Sequence, residues 1–552
     1  MKKLIVFLLL AAILTLGFAS CGKKKPAQTN DPGNDTAATT DRWEVLGPEI
    51  AAQYNADAKS FRFEMSAYSN SEKTSKNQKY IKGPDSLAGT QETIGQLVYE
   101  RNSNANRLLG TTVEYIYWDQ YGWEKQAPQI KLLVDANQPD APDLFVNMIF
   151  DLGNATLQGC FKDVKSLPGS YFDFSANGWM KDWMESMSLT GDRAYILAGD
   201  YFIDVLRAFG VLPFNADLMN ENGDNLAEAL FGKENGLSEG ETMSQRFFDY
   251  VEDGKWTWDS LKKLCEAIYV DSDGDGQNSI EDTLGILGDA STGMTTALYL
   301  YSSGEPLFET YTKEDGKQWI RYPDGVGALG DIFDAVASVY GGKGALATKA
   351  DSEKEGTPDN PNTAYHWVKF GQGETLFAGA CVLGALEDTA FQQMEALWSV
   401  VPIPKVSADK QYNTIIHNVG DAGAMNVNTD PAKAKMLSAY LQFCTEHSAE
   451  IKNEFLQITT KYKTTIYNQG TDRMLNLIYA NVLNGRDKAI EDLMRLNENC
   501  KQKVWHNLMK EGNRLNHTSA DLVTGYASAR DAKQAHLDTI LETWYGLPKA
   551  GE

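Results

Sequence analysis

Gly254-Lys255-Trp256-Thr257-Trp258-Asp259 and, one helix later, Asp271-Ser272-Asp273-Gly274-Asp275-Gly276-Gln277-Asn278-Ser279-Ile280-Glu281-Asp282 form the most telling stretch of the chain. Thr257 is a small polar residue placed to cap a helix over 260–268, and Trp258 packs its first turn. The twelve residues from Asp271 to Asp282 carry side-chain oxygens at positions 1, 3 and 5, glycine at 6, a backbone carbonyl at 7 and a carboxylate at 12. A hard cation needs about six to eight oxygens converging on one point, and alternate residues of a tight turn supply three. Gly276 allows the backbone sign that bends the chain round the ion. Position 12 is Asp in place of Glu, and position 8 is polar Asn278, which suits a single structural loop better than a paired sensor. The spacing therefore predicts a structural calcium held by Asp271, Asp273, Asp275, Gln277, Ser279 and Asp282. Outside a cell calcium is plentiful, so even a weak site stays filled.

On either side of this stretch, strands alternate with helices. Thr112 to Tyr117 reads as a strand after a helix over 91–109. A second helix is expected at about 127–135, and Asp143-Leu144-Phe145-Val146 reads as a buried strand entered through Pro142. That order is the pattern of a parallel sheet covered by helices. A second alternating region runs from Tyr195 to Pro404. Beyond Asp430 the chain turns helix-rich, with amphipathic periodicity over 472–479, 486–496 and 531–544.

The N-terminus says where the chain works. Lys2 and Lys3 precede an apolar run from Leu4 to Phe18, then Ala19, Ser20 and Cys21. The run is too short for a transmembrane helix and reads as a secretory signal. Cysteine after two small residues resembles a bacterial lipobox, with Phe18 where Leu is usual, so Cys21 is the expected site of lipidation. Residues 22–44 are a polar tether between membrane and folded chain. Of 552 residues, 42% are hydrophobic and 11% aromatic, which supports a large core. The net charge of -24 argues against a nucleic-acid partner and disfavours broad contact with anionic lipid, leaving the acyl chains as the membrane contact. Six widely spread cysteines, one of them Cys21, do not make a disulfide framework; most read as small buried hydrophobes.

Catalytic signals dissolve on inspection. Gly325 to Gly330 matches G-x-G-x-x-G, but Pro323-Asp324 ends the preceding strand too early and no acidic residue follows where a ribose needs one. Gly236 to Gly240 matches G-x-S-x-G in a polar segment without the buried strand a nucleophile elbow requires. The histidines never fall at zinc-ligand spacing. Carboxylates are abundant, and nothing singles out a pair of them for glycoside hydrolysis.

The stretch 254–282 resembles the family 1 extracellular solute-binding proteins of ABC importers, in particular their large, sugar-type, Gram-positive lipoprotein branch. Leu212-Pro213-Phe214-Asn215-Ala216-Asp217-Leu218 is similar to the family's strand ending in Asn-Lys-Asp-Leu, with Ala216 in place of the lysine. Trp398 to Lys405 resembles the strand leading to its Pro-x-Pro-Lys turn. Val98 to Asn102, Leu197 to Asp200 and Met474 to Ile478 add to the likeness, in order, across some 450 residues. The resemblance implies an α/β, two-lobe periplasmic-binding-protein-like fold with a hinge and a helix-rich C-terminal region. It places lobe one at 45–190 with 418–470 and lobe two at 191–417 with 471–552. It implies a lipid-anchored, monomeric receptor on the outer face of the bacterial membrane, which hands a carbohydrate, an oligosaccharide, to an ABC permease.

Sugars are held by flat apolar faces and planar polar groups, and loops at the carboxyl ends of strands line such crevices. On that ground the candidate ligand contacts are Asn147 after the strand 143–146, Asp200 and Tyr201 after the strand ending at Leu197, and Ser303 and Gly304 after a strand 298–301. Glu387 follows a strand over 382–386, and His417 and Asn418 follow 414–416. Trp179 and Trp183 stand one helical turn apart as a stacking platform. A lipid-anchored carbohydrate-active enzyme would share the compartment, the calcium loop and the aromatics, and the missing nucleophile or acid pair favours the binding protein.

Overall fold

The computed structural model describes residues 41–66, 77–87, 92–118, 125–289, 293–303, 305–348, 365–460, 467–483, 485–495, 515 and 518–548. The signal segment with Cys21 and the residue Gly304 lie outside them. The chain divides into two compact units, 1–45 and 46–552, and every sheet belongs to the second. Among the described residues no helix is long and apolar enough to cross a membrane.

The architecture is α/β, as the sequence leads one to expect. In the first sheet β1 (Ser60–Ser66), β2 (Thr112–Trp118) and β3 (Leu144–Met148) run parallel, and the last strand, β12 (Asp421–Met425), joins β3 antiparallel in the order β12-β3-β1-β2. Alternation decides what each face does. Phe61, Phe63 and Met65 are fully buried, and the two phenylalanines meet Tyr440 of the helix Pro431–Glu446 edge-on at 5.7 and 5.9 Å. Arg62, Glu64 and Ser66 alternate with them and pair in register with Glu114, Ile116 and Trp118. The intervening helices are the expected ones. Thr93–Leu109 stops at Gly110, whose φ of 63° is the left-handed cap, and Gln126–Ala136 stops at Asn137, with φ 44°.

The second sheet is formed by β4 (Gly210–Asn215), β5 (Leu284–Asp289), β8 (Ala345–Thr348), β9 (Thr375–Ala378), β10 (Cys381–Val382) and β11 (Trp398–Val401), with the hairpin β6 (Glu309–Thr312) and β7 (Gln318–Arg321) apart from it. β5 is parallel to β8 and β9, and β4 is antiparallel to β9, β10 and β11. Its core is aromatic. Trp256 stacks on Phe377 at 5.6 Å, and Phe247 and Phe214 close in edge-on. Thr257 accepts from Ser260 N and caps the helix Trp258–Ile268, two residues longer at its start than the sequence suggests. Cys160, Cys265, Cys381 and Cys444 are free and buried, which raises the pKa of all four thiols.

Four expected strands are something else in whole or in part. The run 298–301 is the end of the helix Gly293–Tyr301, because four apolar residues have no period that separates a strand from a buried helix. Only Cys381 and Val382 of the next run pair, and Leu383–Glu387 winds into a 3₁₀ turn. Leu197 and Ile416 make single bridges, to Gly423 and Phe209. Those bridges matter, because the chain passes between the sheets there. Leu197 extends the first sheet beyond β12, the chain turns through the short helix Ile203–Arg207, and Phe209 leads into β4. On the return, His417 N donates to Ala208 O at 2.8 Å and Gly210 N to Ile415 O at 2.9 Å, so the two crossings are bonded side by side. At Gly423 a Cβ would stand 2.3 Å from the Phe202 ring, so the second crossing needs glycine for close approach.

Gly423→Ala therefore forces Phe202 aside and should cost about 1–3 kcal/mol, read as a lower denaturant midpoint. Adding Phe202→Leu should recover part of the loss. Gly325→Ala, at a site with no atom within 4 Å of the new Cβ, should leave the midpoint unchanged.

Candidate functional site

A buried polar cluster fills the junction of the crossings with the carboxyl ends of β1 and β3. Asn147, next to last in β3, donates from Nδ2 to Glu64 Oε2 at 2.6 Å. Ser66, two residues along β1, donates from its hydroxyl to Asp421 Oδ2, and Asn77 Nδ2 donates to the same oxygen at 2.7 Å. Asp421 N donates in turn to Asp204 Oδ2 at 2.9 Å. Arg207, on the same short helix as Asp204, binds Asp204 Oδ1 through Nη1 and grips Glu387 with Nε and Nη2 at 2.9 and 3.3 Å. One bonded chain thus runs from the first sheet to the 3₁₀ turn that comes after β10.

Burial sets the electrostatics. It pushes Glu64 up to about 7, against the lowering by Asn147. Burial also lifts Asp421 well above the carboxylate range, with Asp204 and Glu64 adding to it and Ser66 and Asn77 opposing. Burial works against the Arg207 charge, but Asp204 and Glu387 outweigh it and raise the guanidinium's pKa.

Several buried atoms in or beside this cluster make no hydrogen bond to any described residue. They are Glu64 Oε1, Asn147 Oδ1, Asp421 Oδ1 and both amide atoms of Asn418. Asn147 is 0% exposed and Asn418 1%. Asn418 lies in the turn between crossing and β12, and its carbonyl accepts from Phe150 N just beyond the end of β3. Unpartnered buried polar atoms are costly, and native proteins keep few of them.

Of the residues the sequence nominates, the structure gathers Asn147, Glu387 and Asn418 here, with His417 beside Asn418. Asp200 lies elsewhere, 1% exposed, with Lys452 at 2.9 Å and the Tyr479 hydroxyl at 2.7 Å. Tyr479 and Trp179 line a 380 Å³ crevice, where Trp179 Nε1 donates to Gln442. Trp183 is 1% exposed and packs against Gly485. Tyr201 is fully buried with the Arg101 guanidinium 4.6 Å above its ring. Ser303 donates to Leu300 O at the end of its own helix. Glu64, Ser66, Asn77, Asp204, Arg207 and Asp421 were not nominated. A charged residue inside a buried strand, as in Ser60-Phe61-Arg62-Phe63-Glu64, was the signal available for Glu64.

The loop 271–282 joins the helix Trp258–Ile268 to β5 and is pinned by the Val270–Thr283 bridge and by Asn278 Nδ2 bonds to Gly342 O and Ala345 O. Ligating oxygens of Asp271, Asp273 and Asp275 lie within 4.8 Å of one another. The Asp271 carboxylate accepts from Gly274 N and Gly276 N at 2.7 and 2.9 Å, and both glycines sit at positive φ. Asp282 accepts from Ser272 N and Ser279 N at 2.9 and 2.7 Å. Burial raises its pKa, and those amides outweigh burial and lower it. The Gln277 carbonyl accepts from the Tyr269 hydroxyl at 3.0 Å. Each of these oxygens keeps a second lone pair, so the donor set fits a hard cation.

No protein-family model matches the chain, and neither does any curated protein. Solved structures do match it. The cyclic alpha-maltosyl-1,6-maltose binding protein from Arthrobacter globiformis is 11% identical over 88% of this chain and 99% of its own, with a TM-score of 0.48. The galacto-N-biose/lacto-N-biose I-binding protein of an ABC transporter from Bifidobacterium longum is 14% identical over 90% and 100%, with a TM-score of 0.46. The GacH receptor of Streptomyces glaucescens, solved unliganded and with acarbose, is 13% identical over 86% and 98%, with a TM-score of 0.45. The structures similar to this chain thus include sugar-binding proteins of ABC transporters.

Proposed function

We propose that this protein is the solute-binding receptor of an ABC importer, capturing a carbohydrate where the crossings join its two sheets. The observation that carries the reading is the buried cluster at that junction, whose Glu64, Asn147, Asn418 and Asp421 atoms lack partners within the protein. Polar solutes with many hydroxyls supply such partners. The cluster takes residues from the first sheet, from the crossing and from the turn after β10, so a solute bonded to all three draws both sheets toward one arrangement. Its differential affinity then favours a closed form that a permease can distinguish from the empty one. Cys21 carries the lipid that holds the receptor, as a monomer, on the outer face of the membrane. The 271–282 loop holds a structural calcium that braces the second sheet without touching solute.

The Asn418 amide makes no bond within the protein, so Asn418→Ala should leave the ligand-free melting temperature level or raise it. The same change should weaken sugar binding roughly ten- to a hundredfold. Thermal shift against neutral and amino saccharides, with product analysis, identifies the solute; stabilisation with unchanged sugar means a receptor and released reducing ends mean an enzyme. Small-angle scattering should record contraction on binding.

Calcium at about 100 times its Kd should add about 2.7 kcal/mol. Chelator should lower the melting temperature of the wild type and leave that of an Asp273→Ala, Asp275→Ala variant where it is. An unchanged wild-type curve with no calcium by elemental analysis would sink the site.

Cys21→Ala should move the protein from the membrane fraction to the medium with its melting curve intact. A variant that stays with the membrane rules out the lipid anchor.

A further inference from the structure

Charge at the junction does not balance. Asp421, Asp204 and Glu387 lie in one bonded chain, Glu64 is near enough to Asp421 to raise its pKa, and among the described residues the cation bonded to these acids is Arg207, shared between Asp204 and Glu387. Another buried cation, Arg101, gives its Nη protons to Tyr80 O, Ile81 O and Ser448 Oγ and its Nε to Asn102, so it is bonded to none of the four. The unpartnered atoms are skewed in the same sense. Glu64 Oε1, Asp421 Oδ1, Asn147 Oδ1 and Asn418 Oδ1 are acceptors, and Asn418 Nδ2 is the one donor among them. Asn147 is bonded to Glu64, so its free carbonyl stands beside that acid. Neutral hydroxyls can pair those oxygens, but only a cation compensates the buried negative charge that Glu64 and Asp421 take on when they ionise.

We infer that the solute carries a protonated amine, as an amino sugar does, and that Glu64 and Asp421, aided by the Asn147 and Asn418 carbonyls, hold that ammonium. The inference rests on the receptor reading and narrows its ligand. An ammonium offers three donors and a charge, which suits unpartnered carboxylate and amide oxygens, and the sugar's ring and hydroxyls are served by the rest of the junction. Acids kept partly protonated by burial in the free protein give up those protons when the cation enters, so binding should release protons.

The test is calorimetric titration of the purified chain with saccharide pairs that differ only in an amino or hydroxyl group. Glucosamine with glucose, galactosamine with galactose, and the chitosan disaccharide with cellobiose are the probes. At least one amine should bind ten or more times tighter than its hydroxyl partner, with a heat that depends on the buffer's ionisation enthalpy. Glu64→Gln and Asp421→Asn, nearly isosteric with the originals, should each cut that amine's affinity at least tenfold, and their ligand-free melting temperatures report that they fold. A hydroxyl partner binding as tightly as its amine, with contraction, overturns the amine and leaves the receptor standing. Binding that depends on added calcium overturns it too, because the cation is then a metal. No binding and no contraction with any saccharide sinks both readings.

Discussion

Asp204 is the residue on which the junction hangs. One of its carboxylate oxygens accepts the Asp421 amide at the head of β12, and the other takes Arg207, which reaches on to Glu387. A carboxylate with two strong donors is stable where a bare one is not, and removing either partner leaves a buried charge exposed to its full desolvation cost. Through this side chain the first sheet, the crossing helix and the turn after β10 become one electrostatic unit. The close packing of Gly420 and Gly423 against Ala208, Asp204 and Phe202 is the steric counterpart of that bonding. Bulk in either place would push the crossings apart.

The division between what holds the fold and what is left for a ligand comes from the same balance. Asp200 has Lys452 and Tyr479, and the Lys452 ammonium also stands 4.2 Å over the Tyr479 ring. That group is complete. Asn418 and Asn147 are not complete, although they are as deeply buried. Two residues with the same burial can therefore differ in purpose, and the count of satisfied hydrogen bonds separates them where exposure does not.

Much of the architecture was legible in the chain. The helix ending at Leu109 and the Thr257 cap are local signals that local structure obeys, whereas the strand Ser60–Ser66 went unread although Phe61, Phe63 and Met65 alternate there with Arg62, Glu64 and Ser66. The run 298–301 misled because a short apolar stretch has no period to declare itself. The site was harder for a different reason. Asn147 and Glu387 were reachable from their places at the ends of strand-like runs, but Asp421 and Asn77 meet across 344 residues of chain. No periodicity carries such a pairing. Trp179 and Trp183 looked like a platform by spacing, yet one faces a crevice and the other a core, because helical spacing fixes direction only within a helix and just the second lies in Lys181–Met187.

The far end of the chain has a consequence for how the protein matures. The Arg193 guanidinium, buried beside the crossing, finds its acceptors in Trp544 O and Leu547 O, at the close of the helix Ser519–Gly546. Trp544 also donates to Thr190, and Tyr545 stacks on Trp319 of the hairpin. A polypeptide made N-terminus first presents Arg193 long before those partners are synthesised. Until that segment is made, collapse around residues 190–195 would bury the guanidinium with Asp192 beside it but without those carbonyls, and β12 would be missing from the first sheet for most of the same interval. The order of synthesis thus works against early closure, and the helix Ser519–Gly546 acts as the clasp that completes the fold.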